Sequence, residues 1–226
     1  MVGIAEPEVI ADLAETTFAT KFTVTGGSGT LLNYTINTID GNVPNQNGNT
    51  LFLWQASTLN VPPGKPIAST SVNLDSPTGS GVWQVETPSK KHLLGFAVGT
   101  DVKNICALVL IDENKKQIGQ FHPSCILKDK SADYVEFDYM VPKGKHPMSD
   151  GDWYGLWKGD SVDDLYDKEK AYVAMGKPSK DESSGTAVLT YKFPSKQKFT
   201  IGYFKGGYGQ PPQRTTLASA LTFTSP

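Results

Sequence analysis

The sequence contains two copies of one pattern of apolar and polar residues, and this repeat constrains the fold more than any other feature. The stretch FATKFTVTGGSGTLLNYTI, which begins at Phe18, aligns without gaps with FHPSCILKDKSADYVEFDY, which begins at Phe121. The same offset places Trp54 on Trp157, in LFLWQAS and YGLWKGD. Farther along, with small gaps, GVWQVETPSKKHLLGFAVG matches TAVLTYKFPSKQKFTIGYFKG, and NICALVLI matches TLASALTF. The repeat predicts that an internal duplication produced this chain of 226 residues.

Each copy is predicted to form a set of short strands, because apolar side chains alternate with polar ones and Gly, Pro and Asn interrupt them. Leu32, Tyr34 and Ile36 are expected to face a core, while Asn33 and Thr35 face water. Seven short strands in about 100 residues are typical of a Greek-key sandwich. In the first copy they are predicted at residues 21–24, 31–39, 51–55, 67–72, 82–86, 93–98 and 105–111, and the second copy repeats the set between residues 125 and 223.

The fold class that follows is all-β, with two tandem immunoglobulin-like Greek-key β-sandwiches that arise from the duplication. The predicted domains are residues 18–118 and 119–226, since the charged turn ENKKQ at 113–117 separates the two copies. Residues 1–17 are an N-terminal extension outside the repeat, with spaced apolar residues at Val9, Ile10 and Leu13. That extension could form one or two helical turns, or a strand that pairs with a neighbouring subunit.

Composition and charge exclude several kinds of partner. The formal net charge is -2, so the chain lacks the basic surface that binding to nucleic acid requires. It also has no apolar run of about 20 residues, so no transmembrane segment is predicted. Residues 1–18 lack the basic start and apolar stretch of a signal peptide, which predicts a cytoplasmic protein, or a secreted one if a leader has been removed.

No cofactor, metal site or catalytic residue is predicted. Neither a Gly-x-Ser-x-Gly elbow nor a His-Glu-x-x-His helix is present, and His122 and His146 each precede a proline, as in loops or strand starts. Cys106 and Cys125 are interpreted as small buried strand residues, and whether they are paired stays open.

One acidic cluster needs a separate interpretation, because carboxylates could hold calcium. Lysines are interspersed and the spacing is not that of an EF-hand, so a solvated loop is the favoured interpretation and a calcium site the alternative. Asp152 is interpreted as a turn residue ahead of its strand. The cluster consists of Asp150, Asp152, Asp160, Asp163, Asp164 and Asp167.

The second copy resembles the SKICH domain and related immunoglobulin-like domains. The resemblance covers most of that copy, and in the first copy Asn49 and Thr50 replace Asp152 and Trp153. It implies a non-catalytic targeting or recognition module and names no ligand. The residues that carry it are Asp152, Trp153, Gly155, Leu156, Trp157 and Tyr172, with the turn Lys192-Phe193-Pro194 and Tyr203.

A ligand-binding surface is predicted where the copies differ and aromatic side chains could be exposed. Tyr208 and Arg214 lie in the long loop GGYGQPPQR, and with Trp153 they are the predicted ligand-binding residues. Trp54 and Trp157, duplicated in mid-strand, are instead predicted to be core residues.

Three functions remain open at this point. The favoured hypothesis is a non-enzymatic recognition or adhesion protein that binds a glycan, a lipid head group or a protein through loops of the sandwiches. The alternative is a cofactor-independent isomerase or cyclase with a pocket at the domain junction. The third is a self-assembling structural protein, in which the extension is exchanged between subunits of a homo-oligomer.

Overall fold

A computed structural model describes residues 15–226, and sixteen β-strands with two 3-10 turns make up the regular structure of that part of the chain. None of the helical segments in these residues could span a membrane. The predictions made for Val9, Ile10 and Leu13 fall outside the described residues. The strands are β1 Thr16–Ala19, β2 Lys21–Ser28, β3 Leu31–Asn37, β4 Thr50–Gln55, β5 Ala68–Ser71, β6 Thr78–Gln84, β7 His92–Ala97, β8 Ile105–Ile111, β9 Gln117–Phe121, β10 Ser124–Lys130, β11 Tyr134–Met140, β12 Trp153–Lys158, β13 Ala174–Gly176, β14 Ser184–Thr190, β15 Lys198–Phe204 and β16 Leu217–Thr224; the 3-10 turns are Val102–Asn104 and Asp163–Leu165.

The strands form two sandwiches with the same internal order, which confirms the all-β immunoglobulin-like fold class. In the first half of the chain, sheet β2-β3-β6 faces β5-β4-β7-β8. In the second half, sheet β10-β11-β14 faces β13-β12-β15-β16, and all pairings are antiparallel. Leu32, Tyr34 and Ile36 are buried between the sheets, as their alternation predicts.

The repeat found in the sequence is also a repeat in strand register. Trp54 pairs with Leu93 across β4 and β7, and Trp157 pairs with Thr200 across β12 and β15. Both tryptophans are buried, as predicted, but they lie on the faces of the five-stranded sheets that point away from the sandwich interiors. These outer faces are apolar as well, so each long sheet is buried on two sides.

In each five-stranded sheet, four strands belong to one half of the chain. The fifth strand belongs to the segment just before the first strand of the other half. Strand β9 leads into β10 of the second half but pairs with β8 of the first, where Phe121 lies opposite Leu108. Strand β1 leads into β2 of the first half but pairs with β16 of the second, where Phe18 lies opposite Ala220. The two sandwiches therefore interlock through two equivalent strand exchanges. The boundary between residues 118 and 119 falls within β9, so the division into two domains remains a proposal about the repeat.

Loops from each half also cover the other half. The loop after β4 reaches the second half, where the amide of Val61 donates to the carbonyl of Lys143 at 2.9 Å. The loop after β12 reaches the first half, where Gly41 lies against Asp163 and Tyr166. Ile39 of the first half packs in the same apolar cluster as the second half's outer-face tryptophans. The junction between the halves is thus a packed, reciprocal contact.

The start of one strand differs from the prediction, and the structure shows whether the two cysteines are paired. Strand β6 begins at Thr78, earlier than residue 82, because Thr-Gly-Ser-Gly pairs along β3 without any apolar alternation to mark it. Cys106 and Cys125 are unpaired and buried in separate sandwich cores.

Candidate functional site

Three loops meet at one end of the second sandwich and are tied to each other by hydrogen bonds. The backbone amide of Tyr208 donates to the carbonyl of Gly151 at 3.0 Å, which joins the loop after β15 to the loop after β11. The amide and hydroxyl of Ser149 donate to Asp181 at 2.8 and 2.5 Å, which joins the loop after β11 to the loop after β13. We call Met148, Gly151, Lys177, Asp181 and Tyr208 the loop-end surface.

The loop-end surface combines apolar area with both signs of charge. Tyr208 is 46% exposed and Met148 is 45% exposed, and hydrogen bonds connect both residues to Gly151. The ammonium of Lys177 lies 5.1 Å from the centre of the Tyr208 ring, a cation–π distance. Hydrogen bonds from Ser149 hold the pKa of Asp181 below its usual range, so that residue presents a carboxylate.

A fully buried ion pair lies beneath this surface. Lys205 Nζ is 2.5 Å from Asp152 Oδ2, and both side chains are inaccessible to solvent. The Tyr203 hydroxyl also donates to Oδ2, at 2.9 Å, and the Gly206 amide donates to Oδ1 at 2.8 Å. These bonds fix the start of the loop that carries Tyr208. Asp152 lies directly ahead of its strand, as the sequence indicated, but its carboxylate is buried in the protein.

Burial and the neighbouring positive charge have opposite effects on the pKa of Asp152. Loss of water raises the pKa of Asp152, and the Lys205 ammonium with the hydrogen bonds from Tyr203 and Gly206 counteracts that rise only in part. Burial and the neighbouring carboxylate raise the pKa of Tyr203 well above 10. Tyr203 therefore remains a hydrogen-bond donor across the physiological range.

The first half has no counterpart of this ion pair. Asn49 occupies the position of Asp152, and Val98 occupies that of Lys205. The Asn49 side chain accepts a hydrogen bond from Asn42 at 2.8 Å, but its own amide nitrogen is buried without a partner. Both members of the pair differ between the halves, which marks the pair as a specific feature of the second.

The two halves differ in the same way at a second ion pair. In the second half, Lys145 and Asp150 form a mostly buried ion pair at 3.1 Å within the loop after β11. At the equivalent positions of the first half, Asn47 donates to Asn42 at 2.7 Å. The loop keeps its shape in both halves, but charge is concentrated under the loop-end surface of the second.

Arg214, a predicted ligand-binding residue, is buried and attaches the loop after β15 to the loop after β12. It is 8% exposed, and its guanidinium donates to the carbonyls of Asp167 and Lys170, the latter at 2.7 Å. The guanidinium also lies 5.4 and 5.7 Å from the ring centres of Trp157 and Tyr172. Burial lowers the pKa of Arg214. Its contacts join two loops of the second half.

Trp153, the third predicted ligand-binding residue, is fully buried. Its ring stacks on Phe204 with centres 4.0 Å apart, and its indole N–H donates to the carbonyl of Gln213 at 3.2 Å. Of the three residues, Tyr208 is the exposed one. Ligand contact by Trp153 and Arg214 stays a prediction.

The acidic residues of the second half are distributed among separate partners. Asp160 pairs with Lys198 at 2.5 Å, and Asp164 lies 3.6 Å from Lys170. Within residues 15–226, no group of three or more His, Cys, Asp or Glu side chains is arranged to hold a metal ion.

An open apolar groove of about 440 Å³ lies at the junction of the halves. Its apolar wall consists of Leu59 from the first half, Phe121 from β9, and Met140 and Val141 from the second half. Lys143 is the ionisable residue among those that line it. The remaining lining residues are Thr58, Asn60, Gln120, Ser183 and Ser184.

Comparisons with known proteins do not identify the chain. No protein-family model and no curated protein matches it. Three solved structures align with most of its length: the ligand-binding domain of human OSCAR (8% identity, TM-score 0.23, 92% of this chain and 97% of that chain), the FN1–FN3 domains of chicken CNTN1 (11%, 0.28, 92% and 64%) and the BSP domain of a biofilm-associated protein (11%, 0.24, 83% and 27%). These TM-scores are too low to indicate a shared fold.

Proposed function

We propose that this chain is a non-enzymatic recognition or adhesion protein, and that it binds its partner through the loop-end surface of the second half. The observation that carries the proposal is the exposed Tyr208 on a loop fixed from below by the Asp152–Lys205 pair and Arg214. A rigid loop loses little conformational entropy when it binds, and exposed tyrosines often contribute most of the energy of an interface.

Among the three ligand classes considered, a protein partner fits the surface best. Met148 and Tyr208 supply apolar area, while Lys177 and Asp181 provide opposite charges around it. Apolar side chains with charged residues at the rim are typical of protein interfaces. A glycan or a lipid head group would engage mainly Tyr208 and Lys177, so these classes are separate arms of the test.

The junction groove gives less support to an isomerase or cyclase. Its volume suits a small ligand, but acid–base catalysis needs groups placed to donate and to accept protons. Lys143 alone does not provide that combination. Recognition is therefore the proposal, and the cofactor-independent enzyme is the alternative.

The experiment uses immobilised full-length protein. It is probed with a glycan array, with phosphatidylcholine vesicles that contain phosphatidylserine, and with an array of purified proteins. We expect saturable binding on the protein array, and we expect Tyr208→Ala to weaken it by about 30-fold, as for an interface hot spot of about 2 kcal/mol. The matched control is Val82→Ala, which shortens a side chain that is also exposed, at 62%, but lies on β6 of the first half.

The outcomes separate the hypotheses. Binding on the glycan array or to the vesicles that depends on Tyr208 would keep the loop-end surface and change the ligand class. Equal binding by wild type, Tyr208→Ala and Val82→Ala, with unchanged circular dichroism, would exclude the loop-end surface. Turnover of a small molecule that is lost in Phe121→Ala would support the enzyme.

A further inference from the structure

The contact between Lys205 and Asp152 brings together two groups that can react with each other. The amine Nζ lies 2.5 Å from Oδ2 of the carboxylate, and neither side chain is accessible to solvent. An amine and a carboxylic acid condense to an amide when both are neutral and held together away from water. Enforced proximity replaces the entropy loss that makes this reaction slow between free molecules.

Burial makes the separate charges of the pair costly. Two separate charges are costly to bury, and transfer of one proton from Lys205 Nζ to Asp152 Oδ2 removes both charges at once. Burial also raises the pKa of Asp152, which acts in the same direction. The stacked rings of Trp153 and Phe204 belong to the residues that follow Asp152 and precede Lys205, and both rings are fully buried.

The two carboxylate oxygens have different partners, as the reaction would require. Oδ1 accepts from the Gly206 amide at 2.8 Å, so this N–H can stabilise negative charge that develops on Oδ1. Oδ2 accepts from the Tyr203 hydroxyl at 2.9 Å and contacts Lys205. Oδ2 is therefore the oxygen that can collect protons and leave as water.

We propose that Lys205 and Asp152 form an intramolecular isopeptide bond in the folded protein. The ammonium first transfers a proton to Oδ2, and the neutral Nζ attacks Cγ to give a tetrahedral intermediate with its charge on Oδ1. A second proton passes from Nζ to Oδ2, with the Tyr203 hydroxyl as relay. The Cγ–Oδ2 bond breaks, one water leaves, and Nζ and Cγ are joined as an amide. No oxidant, metal or other reactant takes part.

The bond would connect two points on neighbouring strands of the same sheet. Asp152 directly precedes β12 and Lys205 directly follows β15, and these strands are paired along their lengths. The amide would lock the base of the loop that carries Tyr208, whether or not that loop binds a partner. The first half could not form the bond, because Asn49 and Val98 occupy the equivalent positions.

Mass spectrometry of the purified full-length protein tests the proposal. We expect the denatured chain to be lighter than its sequence mass by one water. Trypsin does not cleave after an acylated lysine, so a digest should contain the segments 146–158 and 199–214 as one branched peptide. Fragmentation should place the branch between Asp152 and Lys205.

Variants provide the controls. Lys205→Met should give the unmodified mass and linear peptides. Asp152→Asn offers the same carbonyl carbon with ammonia as the leaving group, so its product should have the same final mass as the wild-type product. Tyr203→Phe should retain a fraction of unlinked chains at purification that become linked slowly, about 100-fold more slowly than the wild type.

The result that overturns the proposal needs no variant. If wild-type protein that is folded by circular dichroism keeps its full sequence mass and yields 146–158 and 199–205 as separate tryptic peptides, no isopeptide bond forms. The pair would then be a buried salt bridge. This result would leave the ligand-binding proposal intact, because that proposal is tested by Tyr208.

Discussion

Phe18 and Ala220 lie directly opposite each other across β1 and β16, so the first and last strands of the described chain are neighbours in one sheet. Phe121 and Leu108 occupy the equivalent places in the other long sheet. Strands β1 and β9 pair in equivalent registers, but they are connected differently to the rest of the chain. Strand β9 is tied to β8 by a short turn, whereas β1 has a covalent neighbour only on its β2 side within the described residues.

Removal of β1 should destabilise the second half and expose a sheet edge. Deletion of residues 1–19 removes four ladder pairs and the contact of Phe18 with the outer-face cluster, at an expected cost of about 2–4 kcal/mol in the free energy of unfolding. The uncovered β16 can then pair with other chains. Thermal unfolding and light scattering over a range of concentrations measure the two effects.

Deletion of residues 1–14 is the matched control, since it leaves β1 in place. If both truncated proteins show the same midpoint of unfolding and the same number of chains per particle as the full chain, β1 contributes nothing to the sheet. More chains per particle in the 1–19 deletion alone would support edge pairing.

Arg214 should stabilise the second half through its planar guanidinium rather than through its charge. Arg214→Met removes the hydrogen bonds to the carbonyls of Asp167 and Lys170, and should lower the free energy of unfolding by about 2–3 kcal/mol. Arg214→Lys keeps the charge but cannot donate to both carbonyls with the same geometry, so it should restore only part of the loss. Urea unfolding measures both. Equal stability of wild type and Arg214→Met would contradict this assignment.

The sandwich cores could be predicted from the sequence because they depend on local periodicity. Alternation places Leu32, Tyr34 and Ile36 on one face of β3, and the shared offset places Trp54 and Trp157 at the same point of equivalent strands. The strand exchange could not be predicted in this way. The segments TTFA and QIGQF show that strands can form, but nothing in them says which sheet edge they join.

The buried pair under the loop-end surface was missed for a related reason. Asp152 and Lys205 lie on different strands, and no short-range spacing links them. One signal was present in the sequence: the two halves differ at both positions, since the first half has Asn49 and Val98 there. The sequence predicts Trp153 and Arg214 as ligand-binding residues. In the structure the Trp153 ring stacks on Phe204, and the carbonyls of Asp167 and Lys170 hold the Arg214 guanidinium inside the protein.

The two cysteines should be unreactive in the native state. Burial raises the pKa of Cys106 to about 12 and raises that of Cys125 further above its ordinary value. The thiolate is the reactive form, and neither thiol is accessible. A chromogenic disulfide reagent at pH 8 should therefore react with no thiol in folded protein and with two after denaturation. Rapid reaction of one thiol before unfolding would show that its sandwich core opens.

His92 should make the protein less stable at mildly acidic pH. The imidazole is fully buried, its Nδ1 lies 2.9 Å from the carbonyl of Lys90, and its Nε2 has no partner. Burial lowers its pKa in the folded state, whereas the unfolded chain has the ordinary value of about 6.5. Below that pH the unfolded state binds a proton that the folded state does not, so stability falls with pH until the lowered pKa is reached.

Replacing His92 by the residue at the equivalent position of the second half tests whether the buried imidazole causes the acid sensitivity. Phe199 occupies the position of His92 in β15, so His92→Phe introduces a side chain that the fold already accommodates there. The free energy of unfolding of this variant should depend less steeply on pH between about 6.5 and 5 than that of the wild type. His122, whose pKa is also lowered by burial, contributes to the slope that remains. His146→Gln, at an exposed histidine, is the control. An unchanged slope in His92→Phe would assign the acid sensitivity to other groups.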